Sequence, residues 1–279
     1  MQEFLTIELI DEVADAIRAR TDIQPRIGLI LGSGLNDLAA SIENAVEIPY
    51  GELPYWAVST VKGHSGRLLI GELEGQPVIV MQGRIHFYEG YSMAQVTLPV
   101  RVMQRLGIEI LIVTNAAGGI NQSFEAGGVM LITDHLNLVG MVGLNPLNGP
   151  NLDEFGPRFP DMSQVYDREL KNLTRRIAAD EGVLLYEGVY VCLSGPSFET
   201  PADLRFLDLA GASAVGMSTV PEVVAARHGN TRVLGISGIT NISNMDGNAD
   251  EATHEQVLET GKLIVPKMET LIRGVLRAI

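Results

Sequence analysis

LYEGVYVCLSGPSFETPADLRFLDLAGASAVGMSTVPEVV, residues 185–224, is the stretch from which the fold can be read. Val189–Leu193 is a continuous apolar run, broken at Gly195-Pro196 and followed by Ser-Phe-Glu-Thr, which leads into a helix. A second strand, Ala212–Met217, stops at Ser218-Thr219. Strand, helix and strand in this order make a parallel α/β unit. In open parallel sheets ligands bind where strands end at their carboxyl side. One strand end carries Phe198 and Glu199, the other Met217 and Ser218. An aromatic beside a carboxylate, and a thioether beside a hydroxyl, suit a flat, polar-edged ligand that bears a sugar.

Working downstream, Pro221–His228 reads as a helix and Val233–Ser237 as a strand ending in Gly238-Ile239-Thr240-Asn241. Asn244–Glu251 is an acidic loop, and His254–Ala278 closes the chain as a long helix. Upstream, the apolar spacing of Leu5, Leu9, Ile10, Val13, Ala14 and Ile17 predicts a helix over 5–19. Ile27–Leu31 is a short strand that runs into Gly32-Ser33-Gly34, with a helix starting near Asn36. Such a turn either cradles an anion with backbone N–H groups or simply reverses the chain. It is not a dinucleotide fingerprint, because Asp37 stands at the third glycine position.

Residues 68–82 predict a hairpin turning at Glu74-Gly75. Lys62-Gly63-His64 precede it, and Gly83-Arg84-Ile85-His86, with Tyr88, follow it. The two histidines are either surface or capping residues or, together with Arg84, an oxyanion site. Val96–Leu106 reads as a helix with Pro99 in its first turn. Ile108–Val113 is a buried strand ending in Thr114–Gly119, whose small residues let a ligand approach the backbone. Val129–Thr133 is a strand ending at Asp134-His135, either a catalytic pair or, the reading preferred here, a pair that fixes the loop after it. That loop, 140–163, is rich in Pro, Gly and Asn and is expected to be functional, with Phe155 and Phe159 exposed. Tyr166–Glu181 is a charged helix.

The expected fold is therefore α/β: a single domain over residues 1–279 with a mixed, mostly parallel central sheet flanked by helices. The 279 residues suffice for a core without disulfides, and Cys192, the only cysteine, reads as core filler. A lone thiol fits a reducing cytoplasm. The net charge of −14 argues against nucleic-acid binding. The acidic N-terminus is no signal peptide, and no apolar run is long enough to span a membrane. No internal repeat and no metal-ligand spacing occurs.

The segments GLILGSGL (28–35), GHSGRL (63–68), QGRIHFYEGY (82–91), TNAAGG (114–119), GPSFET (195–200), GMSTVPEV (216–223) and GITN (238–241), with His254, resemble the trimeric purine nucleoside phosphorylases nearly end to end. The resemblance implies reversible phosphorolysis of 6-oxopurine nucleosides to free base and pentose 1-phosphate. It places phosphate, a co-substrate in a scheme without cofactor or metal, among Ser33, His64, Arg84, His86, Ala116 and Ser218. The pentose would meet Tyr88, Met217 and His254, with Phe159 supplied to a neighbouring subunit. The purine would meet Phe198, Glu199, Val215 and Asn241. Asn241, Glu199 and His86 would carry catalysis, as donor to the departing purine, acceptor from N1–H and phosphate ligand. With phosphate as nucleophile, paired carboxylates at glycosidase spacing are not needed. Two rivals stand beside this expectation. One is a methylthioadenosine phosphorylase, whose family places aspartate at the base-reading position and lacks the histidine at the 5′ contact. The other is a non-catalytic nucleotide-binding protein using the Gly32–Gly34 turn.

Overall fold

The computed structural model describes residues 4–32, 35–60, 65–247 and 254–279, with only the backbone of residues 36 and 254–258. Among them the strands are β1 Ile27–Leu31, β2 Glu43–Pro49, β3 Arg67–Leu73, β4 Gln76–Gln82, β5 Ile110–Gly119, β6 Val129–Leu136, β7 Leu185–Cys192, β8 Ala214–Gly216 and β9 Arg232–Ile242. The helices are α1 Ile7–Arg18, α2 Asn36–Ala40, α3 Met93–Arg105, α4 Arg168–Asp180, α5 Pro201–Leu209, α6 Val220–His228 and α7 His254–Ala278.

One nine-stranded sheet runs β2-β3-β4-β1-β5-β8-β7-β6-β9, and β9 also pairs with β5, so its second half closes on itself. Parallel pairs join β1 to β4 and β5, β5 to β9, and β7 to β6 and β8. The pairs β2–β3, β3–β4, β5–β8 and β6–β9 are antiparallel. The sheet is thus mixed with a parallel majority, as the alternation of strands and helices predicts. β5 lies between three partners and is the spine of the site.

Local chemistry explains most boundaries. The β3–β4 hairpin turns on Glu74 (φ 52°) and Gly75 (φ 76°), the left-handed pair that a two-residue turn requires. Glu74 is held there by Arg273 and Arg277 of α7 at 2.6 and 2.7 Å. α1 starts at Thr6, whose hydroxyl accepts from Leu9 N at 3.3 Å, and buries Leu9, Ile10, Val13, Ala14 and Ile17. α5 is closed by a capping box in which Thr200 and Asp203 satisfy each other's backbone N–H groups. Two large apolar cores fill the faces of the sheet, and a smaller one (Ile120, Val191, Leu204, Leu207, Ala212, Val215) fastens α5 beneath β7 and β8.

The structure departs from the sequence reading at several places. β2 departs from that reading because only Ile48 of its seven residues is buried and five are exposed, so it shows no apolar run or alternation. β5 continues through Thr114–Gly119 and β9 through Gly238–Ile242, because the two tails pair with each other. α3 begins at Met93, capped by Ser92 and Gln95, so Pro99 falls in the second turn and leaves the Gln95 carbonyl without its helical donor. Phe155 is not exposed: it packs against the core, with the Arg101 guanidinium 4.8 Å from its ring centre. His135 accepts or donates at 3.1 Å to Tyr166, just past the long loop, and burial depresses it to about 4. It is a fixing residue. Cys192 is buried, and burial pushes its thiol upward, so it is filler as expected.

Candidate active site

The site follows β5 from Thr114 to Gly118. At its first end stands Arg84, delivered by the turn after β4 and 3% exposed. Arg84 Nη1 donates to Thr219 Oγ1 at 2.9 Å, Nη2 donates to the carbonyls of Thr114 and Ile30, and Glu222 Oε1 lies 3.4 Å away. The guanidinium is therefore wedged between the end of β1, the middle of β5 and the start of α6. Ser218 hangs from the same oxygen, its hydroxyl 3.2 Å from Thr219 Oγ1. Gly32 N donates to Thr114 Oγ1 at 2.8 Å, which ties the glycine turn to β5. A cavity of about 350 Å³ opens here under α7, lined by Gly32, Asn115, Ala116, Thr240 and Lys262.

His86 follows two residues after Arg84 and is oriented by Glu89, whose Oε1 lies 2.9 Å from Nδ1 and accepts from the His86 backbone at 2.7 Å. Glu89 also accepts from Thr60 N and Oγ1 at 2.6 and 2.7 Å. Burial pushes the Glu89 carboxyl upward, but the donors from Thr60 and His86 outweigh it and hold it below the usual range. The Glu89 carboxylate at Nδ1 fixes the orientation of the His86 ring. The His86 ring stacks on Tyr88 at 4.7 Å between centres. Tyr88 and Met217 converge on Gly195: a Cβ there would collide with Met217 Sδ and stand 3.2 Å from Tyr88 Cδ1. Burial raises the Tyr88 phenol to about 12, so it remains a neutral donor.

At the other end of β5, Gly118 pairs with Val215 of β8 and with Asn241 of β9. A Cβ on Gly118 would lie 3.5 Å from Val215 Cγ1 and 3.6 Å from Asn241 Nδ2, so the three form one floor. The Thr240 hydroxyl stands 3.0 Å from Asn241 Oδ1, an arrangement that turns Nδ2 away as a donor. Glu199 immediately precedes the α5 capping box, and Arg205 of α5 donates to Met245 O at 2.7 Å, which ties this corner to the chain just past Asn241. Burial, with Asp203 nearby, raises the Glu199 carboxyl. Phe198 beside it is 56% exposed.

The structure thus brings Arg84 and Ser218 together against Thr114 in the middle of β5, and Val215 and Asn241 against Gly118; His86 shares a pocket with Met217 and Ser218, Tyr88 meets Met217 at Gly195, Ala116 lies on β5 between Thr114 and Gly118, and Glu199 stands at the entry to α5. Ser33, His64 and the His254 side chain lie outside the described residues, as does part of the Asn244–Glu251 loop. Phe159 does not join this site in its own chain: it is 88% exposed, with Arg158 5.9 Å from its ring centre. Sequence reasoning missed Glu89, Asn115, Thr219, Glu222 and Thr240. Glu89, three residues after His86, had a visible capping-box spacing; the others act across the sheet and left no local signal. Among the described residues no group of His, Cys, Asp and Glu suits a metal ion.

The sequence profile of the phosphorylase superfamily matches residues 26–277. Purine nucleoside phosphorylase 1 of Bacillus subtilis is 52% identical over 95% of this chain and 97% of its own length. The mouse purine nucleoside phosphorylase is 48% identical over 100% of this chain and 98% of its own. A crystal structure of Schistosoma purine nucleoside phosphorylase in complex with hypoxanthine superimposes with a TM-score of 0.94 at 43% identity, covering 100% of this chain and 99% of that one. The chain belongs to the phosphorylase superfamily and, within it, to the purine nucleoside phosphorylases.

Proposed function

We propose that this protein catalyses the reversible phosphorolysis of 6-oxopurine nucleosides such as inosine and guanosine, including their deoxy forms, to free base and pentose 1-phosphate. The observation that carries the reading is the polarity of β5. Arg84 is bound at Thr114 and Asn241 is paired at Gly118, four residues apart and so at most about 13 Å along a strand. A nucleoside spans that gap with its sugar over the middle. Phosphate held by Arg84, His86, Ser218 and the Ala116 backbone attacks the anomeric carbon while the glycosidic bond breaks. Positive character grows on the sugar beside the phosphate, and negative charge spreads onto the purine. Asn241 Nδ2 donates to that developing charge, and the Glu199 carboxylate accepts from N1–H. By the family pattern Ser33, His64 and His254 complete the phosphate and 5′ contacts.

The preference for a 6-oxo group rests on Asn241, an amide whose outward atom is a donor. Schistosoma relatives are seen with hypoxanthine, inosine and guanosine and also with adenosine, so the ligands of the relatives do not by themselves carry this preference. No cofactor enters the scheme. Phe159, exposed on its loop, supports a trimer in which it completes the neighbouring subunit's pentose site. A single buried thiol supports a cytoplasmic setting, and among the described residues no helix is long and apolar enough to cross a membrane.

The test is base release from inosine, guanosine, adenosine and methylthioadenosine with and without phosphate. Phosphate-dependent release from inosine and guanosine is expected; faster cleavage of methylthioadenosine would favour the rival phosphorylase, and no release would leave a binding protein. Sedimentation should give a mass near three times the 30.1 kDa of one chain. A fully active monomer would refute the shared site.

A further inference from the structure

Thr219 holds a backbone that threonine avoids. Its φ of 77° and ψ of −54°, with Val220 N donating to Ser218 O at 2.9 Å, make a γ-turn of the rare, strained hand. A β-branched residue at positive φ is an outlier that surrounding structure must hold in place. Glycine would occupy the turn without strain, so what threonine adds is a side chain, fully buried, ending in one hydroxyl.

That hydroxyl has two lone pairs and one proton. Arg84 Nη1 donates to it at 2.9 Å, and Asn115 Nδ2 donates to it at 2.9 Å. With both lone pairs engaged, the proton is directed to its remaining neighbour, Ser218 Oγ at 3.2 Å. Ser218 then accepts from Thr219, and its own proton points elsewhere. The buried Tyr190 hydroxyl also lies against Ser218 but without hydrogen-bond geometry. We propose that Thr219 is a positioning residue for phosphate: its strained turn and doubly accepting hydroxyl set the Arg84 fork and turn the Ser218 hydroxyl outward as a donor to the anion. Every donor in the chain Arg84 and Asn115 to Thr219 to Ser218 points the same way, an order that polarises each successive bond. The inference rests on the phosphate end assigned under Proposed function.

Four variants test it: Thr219→Val, which keeps the shape and loses the hydroxyl; Thr219→Ser, which keeps the hydroxyl; Thr219→Gly, which relieves the turn and loses the hydroxyl; and Ser218→Ala. Steady-state constants for phosphate and inosine are measured with Tm. Thr219→Val is expected to raise the phosphate KM about tenfold or more while the inosine KM stays near wild type, because a bond to a charged group is lost. Thr219→Ser should restore most of it. Thr219→Gly should match or exceed the Tm of Thr219→Val and still bind phosphate weakly. A wild-type phosphate KM in Thr219→Val, or its recovery in Thr219→Gly, would overturn the proposal. So would the failure of both variants to fold, which would make Thr219 structural. If Ser218→Ala also leaves the phosphate KM unchanged, the phosphate site itself is misplaced; if it alone raises KM, only the inference about Thr219 fails.

Discussion

Truncating Asn241 to alanine isolates the donor that faces the departing purine. The Asn241 backbone pairs with Gly118 of β5, so the substitution removes an amide and leaves the strand in register. In the ground state the base is neutral and the lost bond is worth about 1 kcal/mol. In the transition state the same donor meets a developing negative charge in a preorganised site, where one such group contributes about 3–4 kcal/mol, or about 10²–10³ in kcat. Thr240→Val supplies an intermediate case: it removes the hydroxyl that lies 3.0 Å from Asn241 Oδ1 and 3.2 Å from the Ala117 carbonyl, so the amide keeps its place and loses its orientation. A loss of about 1 kcal/mol, near fivefold in rate, is expected there. The assay is hypoxanthine release from inosine at saturating phosphate, with kcat and KM resolved separately. If Asn241→Ala raised the inosine KM and left kcat intact, Asn241 would be a binding group with no role at the transition state.

Three further outcomes follow from the same geometry. Glu199→Gln should replace the charged acceptor for purine N1–H by a neutral amide oxygen and raise the inosine KM, yet raise the Tm of the ligand-free protein at neutral pH. The folded-state Glu199 carboxyl is raised by burial, so its ionisation destabilises the fold above that raised value and not below the ordinary carboxylate pKa of about 4.3; the gain in Tm should shrink as the pH falls, and a constant gain would refute it. Glu89→Gln should raise the phosphate KM about tenfold through a loosened His86. The Glu89 carboxyl is depressed in the fold, so its stabilisation is present above the unfolded pKa and lost as the pH falls through the folded one; the Tm difference from wild type should close at acid pH. Gly195→Ala, at φ 64° and against Met217 and Tyr88, should raise the nucleoside KM with little change in the phosphate KM, and equal effects on both would place the pentose elsewhere.

Much of this site is legible in the sequence because its parts follow apolar runs that stop abruptly on a polar group. Arg84, Ser218, Glu199 and Asn241 each follow such a run within a few residues, and the periodicity marks the place. The hairpin was legible for a similar reason, since Glu74-Gly75 lies between two apolar runs. What could not be read is what depends on pairing. The extension of β5 and β9 comes from their mutual ladder, and the sheet's closure through β5–β9 has no signature in either strand alone. Thr219 carries a local sequence that looks like an ordinary approach to a helix. Its three polar neighbours belong to the turn after β4, to β5 and to the loop before α6, and their convergence is visible only when these meet.

The TNAAGG run shows the same limit at the scale of two adjacent residues. Its small residues read as a path for ligand approach, but successive residues of a strand point to opposite faces. At Gly118 an added Cβ would meet Ser243 Oγ at 3.3 Å, Val215 Cγ1 at 3.5 Å and Asn241 Nδ2 at 3.6 Å, all on the purine floor. At Gly119 it would meet Ile242 Cδ1 at 2.9 Å and Ile239 Cγ2 at 3.0 Å, both apolar side chains of β9. The first glycine makes room for a ligand and the second makes room for β9. Gly118→Ala should therefore fold with nearly unchanged Tm and bind purine more weakly, with the inosine KM up and the phosphate KM unchanged. Gly119→Ala overpacks a closed sheet and should cost about 1–3 kcal/mol of stability, while the enzyme that remains folded keeps its kinetic constants. If the two variants behaved alike in both melting and kinetics, the alternation of β5 across the site would be wrong, and with it the placement of Asn241 over the base.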